Sequence, residues 1–273
     1  MTAPLRIALF AGALVAVFGV SYALGDAVDP DVGADDGSAA AGIVVEDRRF
    51  EPGVGETLAF RVVDSEGRTV ADFDVEHERA MHVIAARHDL TGYQHVHPQQ
   101  TEDGGWEVDV TFPDPGPHRV FADFSSGGES HTLGADVEVA GRYEPDELPA
   151  PALTATTADG YEVALERDGR ERRFTVVRGG GPVADVEPYL GARGHLVALS
   201  EGDLDFEHVH PKDAATEGRE IRFDVALTEP GRYRLFLQFK HDGKVHTAAF
   251  TETVASGGPR PDDAKHGEDG HGH

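Results

Sequence analysis

Trp106-Glu107-Val108-Asp109-Val110-Thr111-Phe112 sets an apolar side chain at every second position with polar residues between. Side chains two apart leave the same face of an extended chain, so this stretch predicts a strand with one buried and one solvated face. Thr57-Leu58-Ala59-Phe60-Arg61-Val62-Val63, Glu171-Arg172-Arg173-Phe174-Thr175-Val176-Val177 and Glu220-Ile221-Arg222-Phe223-Asp224-Val225 are alternating or β-branched in the same way. Clusters of Gly, Pro and Asp interrupt such runs about every 8–12 residues, the spacing of an antiparallel sandwich. Helical periodicity is hard to find after residue 25.

The strands occur in two sets, because the chain repeats itself. Met81-His82-Val83-Ile84 runs forward to His95-Val96-His97-Pro98, and Gly194-His195-Leu196-Val197 runs forward to His208-Val209-His210-Pro211. The interval from the first histidine to the His-x-His pair is the same in both copies, His82 to His95 and His195 to His208. Val70-Ala71-Asp72 falls on Val183-Ala184-Asp185 at the offset that also relates His82 to His195. Beyond the His-x-His-Pro motif the second copy lags by two further positions, and Pro115-Gly116 through Phe124 matches Pro230-Gly231 through Phe239. A fourth histidine, His131 or His246, then follows in each copy. A period of this length over so many positions is a domain duplication. The expected fold is all-β: two tandem Ig-like or cupredoxin-like antiparallel β-sandwich domains of about seven strands each, after one N-terminal transmembrane helix.

The expected boundaries follow from composition. Ile7 to Gly25 carries no charge throughout and is preceded by Arg6. As a helix it would measure roughly 28 Å, enough to cross a bilayer core, and the positive flank would leave the remainder outside the cytoplasm. Residues 1–25 are therefore a transmembrane anchor or, with Ala23-Leu24-Gly25 as a cleavage site, a signal segment. Residues 26–42 read as a flexible acidic stalk, 43–140 as the first sandwich, 141–151 as a Pro-rich linker, 152–255 as the second sandwich and 256–273 as a disordered His-rich tail. The location expected is the cell membrane with the domains on the extracytoplasmic side, or secretion if the segment is cleaved.

Composition removes several function classes. The chain has no cysteine, which excludes disulfides and thiolate metal sites. Its methionines are Met1 and Met81 alone, too few for a thioether-rich Cu(I) site. A formal charge of −26 opposes nucleic acid and anionic lipid and mainly maintains solubility.

The histidines remain. In a strand His95 and His97 point to one face with Cα atoms roughly 6.5–7 Å apart, so both rings can reach one ion. Neutral imidazole is a common ligand of Zn, Cu(II) and Ni(II), with Zn and Cu(II) the first choices here. The sequence thus predicts a four-His site in each repeat, His82, His95, His97 and His131 in one and His195, His208, His210 and His246 in the other. His266, His271 and His273 add a weak metal-collecting tract in the tail. Met81 alternates away from His82 and reads as core. Asp72 and Asp185 read as turn residues, with a ligand or supporting role as the alternative. Proton competition near the ordinary imidazole pKa predicts metal binding that weakens between pH 7 and 5.

Segments such as Glu78-Arg79-Ala80-Met81-His82-Val83-Ile84, Asp89 through Pro98, Tyr189 through Val197 and His208-Val209-His210-Pro211 resemble a family of bacterial membrane-anchored exported proteins of the secreted, heavy-metal-binding type. The resemblance spans about residues 43–255. It implies metal handling in the cell envelope, copper foremost, with a membrane metal transporter as a partner. Two other readings stand beside it. One is a bicupin-like metal enzyme, since Glu102 follows His97 by five residues, although Glu217 follows His210 by seven and a glycine-rich second motif is lacking. The other is a structural or interaction stalk whose histidines hold no metal.

Overall fold

The computed structural model describes residues 40–207, 209–212 and 220–255. The expected N-terminal membrane segment, most of the stalk, His208 and the tail with His266, His271 and His273 lie outside these residues. Among the described residues no helix is long and apolar enough to cross a membrane.

The described chain is all-β and antiparallel with one short parallel pair. The first repeat contains β1 (Ala40–Val45), β2 (Arg49–Phe50), β3 (Gly55–Asp64), β4 (His82–Arg87), β5 (Gln94–Val96), β6 (Gln99–Gln100), β7 (Trp106–Thr111), β8 (Gly116–Ser126) and β9 (Glu129–Val139). The second contains β10 (Thr154–Thr156), β11 (Glu162–Asp168), β12 (Glu171–Arg178), β13 (Gly181–Pro182), β14 (His195–Ser200), β15 (Phe206–Glu207), β16 (Val209–Pro211), β17 (Glu220–Val225), β18 (Gly231–His241) and β19 (Lys244–Val254). That exceeds the seven strands per repeat read from the sequence, because two- and three-residue strands carry no periodicity to recognise. Ala40 to Gly42 belongs to β1 rather than to a stalk: Ala40 pairs with Asp64 and Gly42 with Val63 on the edge of the long β3.

In the first repeat the sheet β1-β3-β7-β6 packs on the sheet β2-β9-β8-β4-β5. Alternate residues of β3 (Leu58, Phe60, Val62) and β7 (Trp106, Val110) turn inward and meet Val83, Ala85, Val120, Ala122 and Phe124 from the opposite sheet. Met81 is 1% exposed and belongs to this core. The second sandwich pairs β10-β11-β12-β17-β16 with β15-β14-β18-β19 around Tyr161, Phe174, Phe223, Phe239 and Phe250. Burial of such aromatic and branched side chains, at roughly 25 cal/mol per Å² of apolar surface, is the main driving force for each sandwich in a chain without disulfides.

β4 and β14 break the alternation. All six residues of β4 are buried, as are the four central residues of β14. One face of each strand looks into its own sandwich, and the other packs on the neighbouring repeat. Ile84, Ala86, Leu90, Phe121 and Leu148 meet Val197, Leu199, Leu204 and Phe236 in an apolar layer between the repeats. Tyr93 stacks on Phe236 with ring centroids 4.0 Å apart. At the repeat offsets Ile84 corresponds to Val197, Ala86 to Leu199 and Phe121 to Phe236, so equivalent surfaces of the two copies face each other, as in an isologous dimer.

The linker helps to fix this arrangement. Arg87 makes a bidentate contact with Asp89 (2.9 and 2.6 Å) and donates to Asp146 at 3.1 Å. The Asp146 amide donates to Asp89 at 2.8 Å, and Arg232 of the second repeat donates to the Leu148 carbonyl at 3.3 Å.

Candidate metal centre

β4 opens with His82, and β5 runs antiparallel beside it with Val83 opposite Val96 and Ile84 opposite His95. One residue beyond that ladder His97 comes level with His82. All three imidazoles therefore leave the face that looks toward the second repeat, and their ring centroids are 4.9–5.2 Å apart. One nitrogen from each of His82, His95 and His97 lies within 4.8 Å of the other two.

The hydrogen bonds fix the proton of His95 and leave His82 two tautomers. His95 Nδ1 lies 2.6 Å from Gln238 Oε1, an acceptor, so Nδ1 carries the proton and Nε2 keeps a bare lone pair. His82 Nε2 faces the Glu76 carbonyl oxygen at 3.5 Å, which favours the proton on Nε2 and a lone pair on Nδ1. His82 Nδ1 and His95 Nε2 lie 3.0 Å apart: with the His82 proton on Nε2 both present lone pairs, and with it on Nδ1 His82 donates a hydrogen bond to His95. His97 Nε2 is buried without a partner. Donors bound at about 2.0–2.1 Å to one tetrahedral or square-planar ion are about 2.9–3.4 Å apart, a range that includes the spacing of this pair as it includes that of an N–H···N hydrogen bond.

Electrostatics keeps the rings neutral, the form that ligates. Burial pulls His82 down to about 4, assisted by His97 and opposed by Asp123. Burial likewise takes His95 to about 3 against the opposing bond to Gln238. His97 falls to about 4 through burial and the nearby Arg79 guanidinium. Asp123, level with His82 across the β4–β8 ladder, is held by Thr132 Oγ1 at 2.7 Å.

The fourth histidine is displaced from the expected set. β8 and β9 join through Gly127-Gly128, and this register sets His131 opposite Phe124, while Thr132 and His82 are both opposite Asp123. Directly paired residues share a face, so His131 lies on the core side, its ring packed on Phe124. The same parity holds in the second repeat, where His246 is opposite Phe239 and His195 is opposite Gln238. His246 Nδ1 contacts Asp159 at 2.6 Å, and its Nε2 lies 3.1 Å from the His241 carbonyl. Both of its ring nitrogens are engaged, which identifies a structural histidine. The four-His site per repeat is thus corrected to a three-His cluster in the first repeat. In the second, His210 is in β16, and His208 is outside the described residues.

Instead, His195 crosses the repeat boundary. Its ring is parallel to that of His82 (5.9 Å, 9° between planes) and lies 4.6 Å from that of His95. Gly194 precedes it where the first copy has Met81. A Cβ there would meet the Gln238 carbonyl oxygen at 2.7 Å, so only glycine allows β14 this close to β18. Asp72 and Asp185 stay away from the cluster: the Asp72 carbonyl accepts from Ser126, and Asp185 contacts His241 at 3.3 Å.

Two contributors escaped the sequence reading. Gln238 matters only once the repeats pack together. His77 sits on the tight turn Glu76–Arg79, where it and Glu78 have φ of 50° and 66°, and its ring is 6.4 Å from that of His82. Positive φ at two non-glycine residues is costly, about 1–3 kcal/mol each, and such strain gathers at functional sites. Beside the cluster a cavity of about 30 Å³ is lined by residues including Glu76, His77, His82, Asp123 and His195.

The family model described as a domain of unknown function, DUF8832, matches residues 38–141 and again 155–256. No curated protein matches the chain. Similar solved structures include the adhesin FdeC of Escherichia coli, at 16% identity, 80% coverage of this chain, 66% of that one and a TM-score of 0.28. Domains 4–9 of the surface layer protein SbsC share 14% identity over 80% of this chain and 31% of that one, with a TM-score of 0.23. Domains 5–6 of SbsC share 14% over 80% and 99%, with a TM-score of 0.24. At such scores these likenesses carry no argument, and the fold rests on its own geometry.

Proposed function

The chain belongs to the DUF8832 family, in two copies of its domain, and we propose that it binds a divalent transition-metal ion, Cu(II) or Zn, at His82, His95 and His97. The observation that carries this reading is the convergence of three imidazoles, one nitrogen of each within 4.8 Å of the other two and His82 Nδ1 3.0 Å from His95 Nε2. A proton or a cation occupies the space between these two nitrogens; Gln238 takes the His95 proton on the far side of its ring, and a cation takes the shared space when the His82 proton turns to Glu76. An all-imidazole donor set suits borderline ions and does not suit Mg or Ca, which take oxygen ligands.

The ion is cargo or a structural element of an exported protein. Support for the extracytoplasmic placement is the uncharged run from Ile7 to Gly25 behind Arg6. Each sandwich reads as Ig-like, supported by two packed, mainly antiparallel sheets, β1-β3-β7-β6 on β2-β9-β8-β4-β5 in the first repeat and β10-β11-β12-β17-β16 on β15-β14-β18-β19 in the second. A metal enzyme is less well supported. The cavity beside the cluster has room for about one water and none for an organic substrate.

The test is metal titration of the full chain, stripped with chelator, at pH 7.5. Zn or Cu(II) at 100 times its Kd stabilises a folded form it alone recognises by about 2.7 kcal/mol, seen as a raised melting temperature. His95→Ala should abolish that rise and leave only weak binding by the tail. An unchanged melting temperature with Zn, Cu(II) and Ni(II), or an equal rise in His95→Ala, overturns the proposal.

A further inference from the structure

We propose that His195 of the second repeat is the fourth ligand of this site, so that the bound ion closes its coordination sphere across the boundary and cross-links the repeats. The inference rests on the metal-binding reading above and adds what the site joins.

Three observations carry it. First, the His195 ring is as close to His95 (4.6 Å) as His95 is to His97 (4.9 Å) or to His82 (5.2 Å). It stands beside the cluster from the other repeat, its ring stacked 5.9 Å from that of His82; the nitrogens already within 4.8 Å of one another are those of His82, His95 and His97, so His195 joins them by a turn of its ring. Second, His195 Nδ1 is buried without any hydrogen-bond partner. A buried polar atom left unsatisfied costs about 1–3 kcal/mol, and a ligand role removes that cost. Third, the position is held in place: Gly194 admits the close approach to β18, and Gln238, level with His195 on that strand, is the residue that orients His95.

The consequence is chemical as well as structural. Three protein ligands and a water are the arrangement of a catalytic zinc site, whereas four protein ligands make a closed one. With His195 in the sphere the ion has no vacant position for substrate. Removing it then requires the β4 and β14 faces to part, so retention of the ion is coupled to the apolar layer formed by Ile84, Phe121, Val197 and Phe236.

Co(II) titrated into the full chain tests this, because its visible d–d bands are intense when four-coordinate and weak at higher coordination. The parent should show the intense four-coordinate spectrum. His195→Ala should still bind through the remaining three with water in the fourth place, which shifts the d–d bands to new positions as an oxygen donor replaces a nitrogen, and its Kd should rise at least about tenfold. His195→Gln should behave alike, and it preserves bulk in the interface should the alanine variant fail to fold. His131→Ala, on the core face, should leave the spectrum unaltered. If the parent binds Co(II) and both His195 variants keep its spectrum and Kd, the cross-link is overturned while metal binding stands. If the parent gives no Co(II) spectrum at all, the metal reading and the cross-link are both overturned.

Discussion

Replacing His82 and His95 together by Gln should flatten the acid sensitivity of this protein in the metal-free state. Both imidazoles are neutral when folded, at about 4 and about 3, and return to the ordinary value near 6.5 when the chain unfolds. Between those values the unfolded chain binds more protons than the folded one, so stability falls as pH falls. The stabilisation is fully present above pH 6.5 and drains away toward pH 4. At pH 5 an unfolded imidazole is almost wholly protonated, while its folded counterpart is almost wholly neutral. Integrated from pH 7 to pH 5, this is about 2 kcal/mol for each residue and about 4 kcal/mol for the pair. The assay is guanidinium unfolding of parent and double variant, with chelator, at pH 7, 6 and 5. Histidines common to both proteins cancel in the difference. The parent should lose about 3–4 kcal/mol more than the variant between the extremes. Equal losses in parent and variant, within the error of the two unfolding curves, would refute the picture of two buried neutral rings.

The same lowered values move metal competition. Zn binding should hold from pH 7 to about 5 and fail below it, unlike the decline between pH 7 and 5 that ordinary imidazoles would give, and isothermal titration at pH 7, 5.5 and 4.5 distinguishes the two. Leu199→Ala, at a fully buried position in the layer between the repeats, should cost about 2–5 kcal/mol of unfolding free energy, whereas a value below about 1 kcal/mol would contradict tight packing there. Gly194→Ala forces a Cβ to within 2.7 Å of the Gln238 carbonyl and should both destabilise the second repeat and weaken Zn binding, read by the same titration. Arg172 and Glu252 form a buried bidentate pair at 2.9 and 2.5 Å, so Arg172→Met should cost about 3–5 kcal/mol and Arg172→Met/Glu252→Leu much less, as two unfolding curves would show.

Much of this architecture was legible from side-chain alternation. Trp106 to Phe112 and Glu171 to Val177 announce half-buried strands, and the offset repeat announces two copies of one sandwich. His95 and His97 were legible as neighbours because two residues along a strand return to the same face. His131 was misassigned because spacing along a chain does not give parity across a hairpin. The information was present in the two-residue turns Gly127-Gly128 and Asp242-Gly243, which fix the register and send His131 and His246 inward with Phe124 and Phe239. The boundary between the repeats also had a signal. His82-Val83-Ile84-Ala85-Ala86-Arg87 and Leu196-Val197-Ala198-Leu199 do not alternate, and an uninterrupted apolar strand must be covered on both faces. Gln238 had none, since its task depends on which residue of the other copy arrives beside it.

Equivalent faces meeting across the boundary would, in a pair of separate identical chains, oblige every substitution to occur on both sides of the axis. Covalent tandem arrangement lifts that obligation. Asp123 in one half and Gln238 in the other occupy matching positions, yet they do different work: the carboxylate receives Thr132, and the amide receives His95. A carboxylate at position 238 would raise the proton affinity of His95 and so sharpen proton competition for its ring. An uncharged acceptor directs the ring without inviting the proton. Joined halves can thus specialise, one residue at a time, into a centre that a strictly symmetric assembly has no means to build.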